Sequence, residues 1–283
     1  MSDPTAGPTP RMVVESLVRH DGVVVLADAY DVANEIGIDD QPLRLAIRRL
    51  VADGAFVQEG RGRKGILRRT PGADLREQHD VDFVALAYAQ DAGLAPWDGT
   101  WHLLSVSVPE RDRALRDRLR RTLMRLGAGQ LHSGLYVSPH DWEDLVLAEC
   151  PELATIETVA TATTDDLVVG GTRAPRQIAA RLWPLAQVAT DHRELLTASR
   201  QAAVAARPGA TRASRLSAVL RLVAAFDHAH VKDPLLPREL LPEPWAGARS
   251  RQAFVESWSR LHDKEDDHEQ LFTRFNRAFS DPA

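Results

Sequence analysis

The hydrophobic period of the chain changes from helical to extended after Gly54, and this change most constrains its fold. Apolar residues recur every three to four positions in three short stretches before it, at about 11–20, 27–36 and 39–53. Residues 55–58 and 66–70 then have the pattern of strands, and three glycines between positions 60 and 65 indicate a tight turn. Three helices followed by a two-stranded ribbon predict a winged helix-turn-helix over residues 11–72.

The third helical stretch is predicted to be a recognition helix. Its apolar face carries Leu43, Ile47 and Leu50, and polar side chains occupy the opposite face. Arginine can donate two hydrogen bonds to guanine and glutamine can bond adenine in the same bidentate way, whereas cations on a ribbon contact phosphate or the minor groove. The predicted DNA-binding residues are therefore Gln41, Arg44, Arg48, Arg49, Arg61, Arg63, Lys64 and Arg68.

The distribution of charge supports a polyanionic partner although the whole chain is acidic. The formal net charge is −5, but residues 41–70 sum to +6 and residues 111–125 sum to +5, which leaves −16 on the remainder. A protein that presents a basic patch to DNA and keeps its other surfaces acidic has this polarity. The alternative is that the arginines of the helix and the ribbon only keep an exposed face soluble.

The remaining sequence predicts an α+β chain with further domains. Strands at 101–108, 130–132, 135–138 and 155–163 alternate with helices at 110–126 and 140–149. This β-α-β-β-α-β order predicts a ferredoxin-like domain over residues 97–171. Residues 1–10 are a predicted flexible tail, residues 73–96 a linker helix, and residues 172–283 an all-helical C-terminal domain. Helices are expected at 176–206, 210–231 and 249–279, and the Pro-rich segment 233–245 is expected to wrap the core.

Composition and motifs exclude several classes of protein. A single cysteine excludes a disulfide framework and a Cys-rich zinc site. No apolar run approaches the ~20 residues that span a bilayer, and residues 1–10 lack the apolar core of a signal peptide, so we expect a cytoplasmic protein with no membrane partner. The G-x-S-x-G, H-E-x-x-H and Walker A spacings are absent. Gly60, Gly62 and Gly65 resemble a glycine-rich phosphate loop only superficially, because they lie between two predicted strands and no helix begins after them. The sequence therefore predicts no enzyme, no catalytic residue and no cofactor.

Two histidine-containing clusters are expected to be structural rather than metal-binding. His228 and His230 have Asp227 and Asp233 nearby, but two ligands at this spacing are commonplace. The acidic run 263–269, which follows His262, has the composition of a solvated helix face. The sequence therefore predicts no metal site.

The arginine-rich stretch and the tryptophans leave alternatives open. Seven arginines lie between positions 111 and 125, where they can meet DNA phosphates, bind an acidic ligand such as a CoA ester, or form a solvated helix face. The tryptophans belong to the core or line an apolar ligand pocket between helices. The candidate effector-binding residues are Arg116, Arg120, Trp183 and Trp245.

Several motifs, in order along residues 11–260, resemble the PaaX family of transcriptional repressors. The resemblance is carried by Trp97-Asp98-Gly99-x-Trp101, Val108-Pro109-Glu110, Arg116-Asp117-x-Leu119-Arg120-Arg121-x-Leu123-x-x-Leu126-Gly127, Gly134-Leu135-Tyr136-Val137-Ser138-Pro139, and Asp233-Pro234-x-Leu236-Pro237-x-x-Leu240-Leu241-Pro242-x-x-Trp245-x-Gly247.

This resemblance implies a winged-helix domain, a ferredoxin-like domain used in dimerisation and a helical C-terminal domain. It implies a homodimeric repressor of an aromatic or acyl-CoA catabolic operon, such as that for phenylacetate. The repressor is expected to leave a palindromic double-stranded operator when an acyl-CoA effector such as phenylacetyl-CoA binds. The chain departs from the family at Ser107, where an aspartate is common, and at Ala128, where an aromatic residue is usual.

Two other functions compete with repression. The same middle-domain fold occurs in the small CRISPR-associated metal-dependent nucleases, which use an aspartate at the end of the first strand. Residues 106–108 are Val-Ser-Val here, so that carboxylate is missing. A winged-helix module that binds protein and not DNA is the other alternative, and it would tolerate neutralisation of Arg44 and Arg48.

Overall fold

The computed structural model describes residues 8–19, 21–70, 74–155 and 159–262, and it is α+β, as predicted. The described residues fall into two compact units. The first unit takes its members from residues 1–85, 191–229 and 246–283, and the second consists of residues 86–190 and 230–245. Residues 1–7 of the predicted tail, residues 156–158 of a predicted strand, and residues 263–279 of the predicted last helix lie outside the described ranges. The predicted domain limits stay predictions.

The described ranges contain ten α-helices and seven β-strands. The helices are α1 (Pro10–Ser16), α2 (Leu26–Glu35), α3 (Asp40–Ala52), α4 (Asp74–Asp91), α5 (Arg113–Arg125), α6 (Glu143–Glu149), α7 (Pro175–Leu182), α8 (Leu185–Ala205), α9 (Arg212–Val231) and α10 (Ala246–His262). The strands are β1 (Val23–Val25), β2 (Phe56–Glu59), β3 (Ile66–Arg69), β4 (Trp101–Val106), β5 (Gly129–His132), β6 (Leu135–Ser138) and β7 (Val159–Thr164).

The N-terminal part of the first unit contains α1–α3 and a three-stranded antiparallel sheet of order β1-β3-β2. The predicted hairpin is present, because β2 pairs with β3 and a single 3₁₀ turn at Gly62–Lys64 joins them. Strand β1, which pairs Val24 with Leu67, was not predicted from the sequence. Three consecutive valines are too short a run to show a strand period, so only the neighbouring β3 makes this segment a strand.

The second unit contains a four-stranded antiparallel sheet of order β5-β6-β4-β7. Strand β4 is central, and its Leu104 lies opposite Tyr136 of β6 and Thr161 of β7. Gly134 joins β5 to β6 with a φ of 78°, and a Cβ atom at this position would lie 2.4 Å from the carbonyl oxygen of Val106. Only glycine therefore fits where the hairpin closes on the end of β4.

Several boundaries differ from the prediction. The helix expected over 176–206 is divided into α7 and α8 at Trp183 and Pro184, because proline cannot donate the backbone hydrogen bond that would continue α7. The helix expected from residue 140 begins at Glu143, and the strand expected to reach 108 ends at Val106.

The Pro-rich segment 233–245 packs on the core, as predicted. Leu235, Leu236, Leu240 and Leu241 are buried, and three of these leucines join the apolar cluster around Trp101. The segment has no regular helix or strand apart from a 3₁₀ turn at Arg238–Leu240. No helix among the described residues combines the length and the apolar character that crossing a membrane requires.

Candidate functional site

Helix α3 has one buried face and one cationic face. Leu43, Ile47 and Leu50 are at most 3% exposed and pack into the core of the first unit. The predicted base-reading residues of α3, which are Gln41, Arg44, Arg48 and Arg49, are all exposed. No described residue forms an ion pair or a hydrogen bond with their side chains. Their donors are therefore available to an external partner.

Leu45 shares this exposed face and was missed by the sequence analysis. Its side chain is 48% exposed, and it follows Gln41 by four residues and precedes Arg48 by three, so the three lie on one side of the helix. An apolar side chain on a recognition helix can contact the C5-methyl group of thymine. The helical period could have identified this leucine, because it does not belong to the apolar face of Leu43, Ile47 and Leu50.

The cations of the β2–β3 ribbon are not equivalent. Arg61 and Lys64 are exposed, and no described residue forms an ion pair with either of them. Arg63 instead pairs with Asp31 at 2.5 Å and with Asp40 at 3.8 Å.

Further contacts hold two arginines of the ribbon, Arg63 and Arg68, in place. The guanidinium carbon of Arg63 lies 5.2 Å from the centre of the Tyr30 ring, and Arg68 bonds Glu59 at 3.1 Å. Two of the four predicted ribbon cations are therefore neutralised by carboxylates. The contact with Asp40 also holds the ribbon tip beside the first residue of α3. We call Gln41, Arg44, Arg48, Arg49, Arg61 and Lys64 the basic surface.

A surface cavity of about 680 Å³ lies in the second unit, between the end of β4, helix α5 and the β5–β6 hairpin. Three arginines and one carboxylate, Asp117, line it, which makes the cavity cationic. Burial raises the pKa of the Tyr136 hydroxyl there, and the nearby Arg120 opposes that increase. The charged and polar lining residues include Arg113, Arg116, Asp117, Arg120, Gln130, His132 and Tyr136. Clustered guanidinium groups suit a ligand that carries phosphate or carboxylate.

The four predicted effector residues do not meet in one place. Arg116 and Arg120 line the cavity, whereas Trp183 and Trp245 are not among the described residues that line it. Trp183 is buried, stacks on Trp101 with ring centres 6.3 Å apart, and donates from Nε1 to the carbonyl oxygen of Gly127 at 2.9 Å. Trp245 packs against the same apolar cluster. Both tryptophans therefore have a packing role in this structure.

Among the described residues, two groups of side chains have a composition that can hold a metal ion. His228 of α9 lies beside Asp191 and Glu194 of α8, with 3.7 Å between His228 Nε2 and Asp191 Oδ1. In the second unit, His102 lies with Asp141 and Glu143. Within each group one ligand atom per residue lies within 4.8 Å of the others. The sequence grouped His228 with other residues, Asp227, His230 and Asp233, and did not predict the second group, because His102 and Glu143 are 41 positions apart.

Comparison with known proteins places this chain among a group of regulators. Residues 94–179 match the family model described as "PaaX protein central Cas2-like domain", and residues 183–271 match "PaaX-like protein C-terminal domain". The structure is similar to that of the uncharacterized protein Rv0674 from Mycobacterium tuberculosis, with a TM-score of 0.55 and 25% sequence identity over 90% of this chain and 97% of that one. No curated protein matches the chain.

Proposed function

The chain belongs to the PaaX family of transcriptional regulators, and from this premise we propose that it represses transcription by binding operator DNA. The observation that carries the proposal is the basic surface. Its residues are exposed and have no internal ion pair among the described residues, although the chain as a whole has a net charge of −5. Charge of this kind attracts phosphate, and a rigid helix beside it provides base recognition.

In this proposal the N-terminal elements form a winged helix-turn-helix. Helix α3 enters the major groove, and the β2–β3 ribbon is the wing that contacts the DNA backbone. The order α1-β1-α2-α3-β2-β3 and the antiparallel sheet support this assignment. Arg44 and Arg48 read bases, while Arg61 and Lys64 bind phosphates.

The middle elements are proposed to form a ferredoxin-like domain that mediates dimerisation. Their order β4-α5-β5-β6-α6-β7 and the sheet order β5-β6-β4-β7 support it. A homodimer would place two recognition helices about 34 Å apart on a palindromic operator. A cytoplasmic location is part of the same proposal.

The effector is proposed to be an acyl-CoA such as phenylacetyl-CoA, and the operon one for aromatic or acyl-CoA catabolism. The cavity beside Arg116 and Arg120 supports an anionic effector, since its size falls within the range of small-ligand pockets. Binding there would favour a dimer geometry that mismatches the operator. A coupling free energy of about 1–3 kcal/mol lowers operator affinity by about 5- to 150-fold.

PaaX proteins are regulators rather than enzymes, and we propose that this chain has no nuclease activity. The position that follows β4 is an exposed serine, Ser107, which lines the cavity and has no carboxylate to hold a catalytic metal. The protein-interaction alternative can be distinguished from the repressor by substitution of Arg44 and Arg48. A protein-interaction module would retain its function without these arginines, whereas a repressor would lose operator recognition.

The decisive experiment selects duplexes from a random DNA pool with the full chain and measures affinity for the enriched sequence by fluorescence anisotropy. We expect Arg44→Ala with Arg48→Ala to reduce discrimination against scrambled DNA by at least about tenfold, because each bidentate contact is worth about 1–3 kcal/mol. The charge-matched control is Arg193→Ala with Arg200→Ala, two exposed positions of α8. Undiminished discrimination in the α3 variant would favour the protein-interaction module.

The effector is tested by thermal shift. Phenylacetyl-CoA is expected to raise the melting temperature of the wild-type chain by mass action, and Arg116→Ala with Arg120→Ala is expected to abolish the rise. Arg121→Ala is the control for loss of an exposed charge from α5, because this exposed arginine does not line the cavity. A shift that persists in the double variant would place the effector elsewhere.

A further inference from the structure

The start of β4 and the chain after β6 bring three potential metal ligands together. His102 is the second residue of β4 and lies opposite Ser138, the last residue of β6. The connection from Ser138 to α6 is short, and the Ser138 hydroxyl accepts a hydrogen bond from the backbone N–H of His140 at 3.0 Å. This turn returns Asp141 and Glu143 toward His102.

The spacing of these groups fits a coordination sphere. His102 Nδ1 and Glu143 Oε1 lie 3.1 Å apart, and one ligand atom from each of the three residues lies within 4.8 Å of the others. Two ligands of a tetrahedral ion with bonds of about 2.1 Å are separated by about 3.4 Å. The distance between the His102 imidazole and the Glu143 carboxylate is thus already close to the distance between two ligands of one tetrahedral ion. Asp141 needs only a side-chain adjustment to provide a third ligand.

The surroundings hold two of the ligands and leave an entry path. The side chains of His102 and Glu143 are 14% and 24% exposed, whereas Asp141 is exposed. Oε2 of Glu143 accepts a hydrogen bond from the backbone N–H of Trp142 at 3.0 Å, and the Trp142 side chain is buried. Contacts of this kind orient the ligating atoms of a metal site before the ion arrives.

We propose that His102, Asp141 and Glu143 bind one divalent transition-metal ion of the Zn²⁺ class, with water completing its coordination. One imidazole and two carboxylates suit Zn²⁺, Mn²⁺ or Co²⁺, whereas Mg²⁺ takes oxygen ligands and retains its water. A cation also relieves the repulsion between two carboxylates held close together. The ion links β4 to the first residue of α6 and stabilises this part of the second unit.

This site is separate from the proposed DNA and effector functions and from the nuclease position. The nuclease position follows the C-terminal end of β4, at Ser107, whereas His102 lies near the N-terminal end of the same strand. Failure of the metal proposal therefore leaves the repressor proposal unchanged, and failure of DNA binding does not affect the metal proposal.

The test is titration of the metal-depleted full chain, without an affinity tag, with Co²⁺ followed by its visible absorption. We expect one bound ion per chain, displacement by Zn²⁺ and no displacement by a hundredfold excess of Mg²⁺. Asp141→Asn and His102→Gln are each expected to reduce Co²⁺ affinity at least tenfold. Zn²⁺ is also expected to raise the melting temperature of the wild-type chain and not that of Asp141→Asn.

The control is Glu194→Gln in the other histidine–carboxylate group, which should bind Co²⁺ as the wild type does. Asp141 is exposed, so Asp141→Asn retains the fold and decides the question even where His102→Gln does not fold. Wild-type affinity in Asp141→Asn, no binding to the wild-type chain at millimolar Co²⁺, or loss of binding in Glu194→Gln alone would each overturn the proposal. Displacement by Mg²⁺ would overturn the assigned class of ion.

Discussion

Arg63 and Lys64 are adjacent cations of the β2–β3 ribbon, yet their removal should affect different properties. Lys64 has no ion-pair partner among the described residues, so its charge is available to a phosphate. Arg63 is already paired with Asp31 and Asp40. We expect Lys64→Ala to weaken the salt dependence of DNA binding, and Arg63→Ala to lower the stability of the fold while changing the salt dependence much less.

The magnitudes follow from these contacts. A cation that binds one phosphate contributes about 0.9 to the slope of log affinity against log salt, which is a factor of about 3.5 between 50 and 200 mM salt. An exposed ion pair is worth about 0.2–1 kcal/mol and an exposed cation–π contact about 0.5–1 kcal/mol. With the Arg63 side chain 45% exposed, its contacts with Asp31, Asp40 and Tyr30 together contribute about 1 kcal/mol. Lys64→Ala should change stability by less than about 0.5 kcal/mol.

Two measurements separate the variants. Fluorescence anisotropy with an arbitrary duplex at several salt concentrations gives the slope, and urea denaturation gives the free energy of unfolding. Neither measurement requires knowledge of the operator. An equal loss of slope in both variants would mean that Arg63 leaves its carboxylates to bind phosphate. An unchanged unfolding free energy in Arg63→Ala would mean that its contacts add nothing to stability, and either result would contradict the prediction.

Three other substitutions test single contacts. Gly134→Ala should lower the free energy of unfolding, measured by urea denaturation, by about 2–3 kcal/mol, because it forces a Cβ atom against the Val106 carbonyl at a left-handed φ. A near-neutral effect would show that the hairpin has room to move. Trp183→Phe should lower the free energy of unfolding by about 1–3 kcal/mol, because the buried carbonyl oxygen of Gly127 loses its hydrogen-bond donor. Wild-type stability in the same assay would contradict this prediction. Leu45→Ser should weaken discrimination at one A·T pair by about 1 kcal/mol and leave affinity for scrambled duplex unchanged, so a uniform loss across all sequences would point to a structural role instead.

The sequence anticipated the features that depend on local periodicity. The core face of α3 is one example, because apolar residues three to four positions apart must share one side of any helix. The same rule places the cationic side chains of Arg44 and Arg48 in solvent, where the structure has them. The β2–β3 hairpin is another example, since its glycines lie between two short extended runs. These predictions use interactions within a few residues, which the sequence displays directly.

Features that depend on contacts between distant residues were decided by the tertiary structure alone. Strand β1 exists because β3 pairs with it, and the separation of Trp183 and Trp245 from the cavity follows from how they pack around Trp101. The ion pairing of the ribbon was likewise set by distance in space, because Asp31 pairs with Arg63 across 32 positions of sequence. His102 meets Glu143 across 41 positions for the same reason. Periodicity determines which face of a helix or strand a residue occupies. The residue that forms an ion pair with it, or shares a metal ion with it, is determined only when distant elements pack together in space.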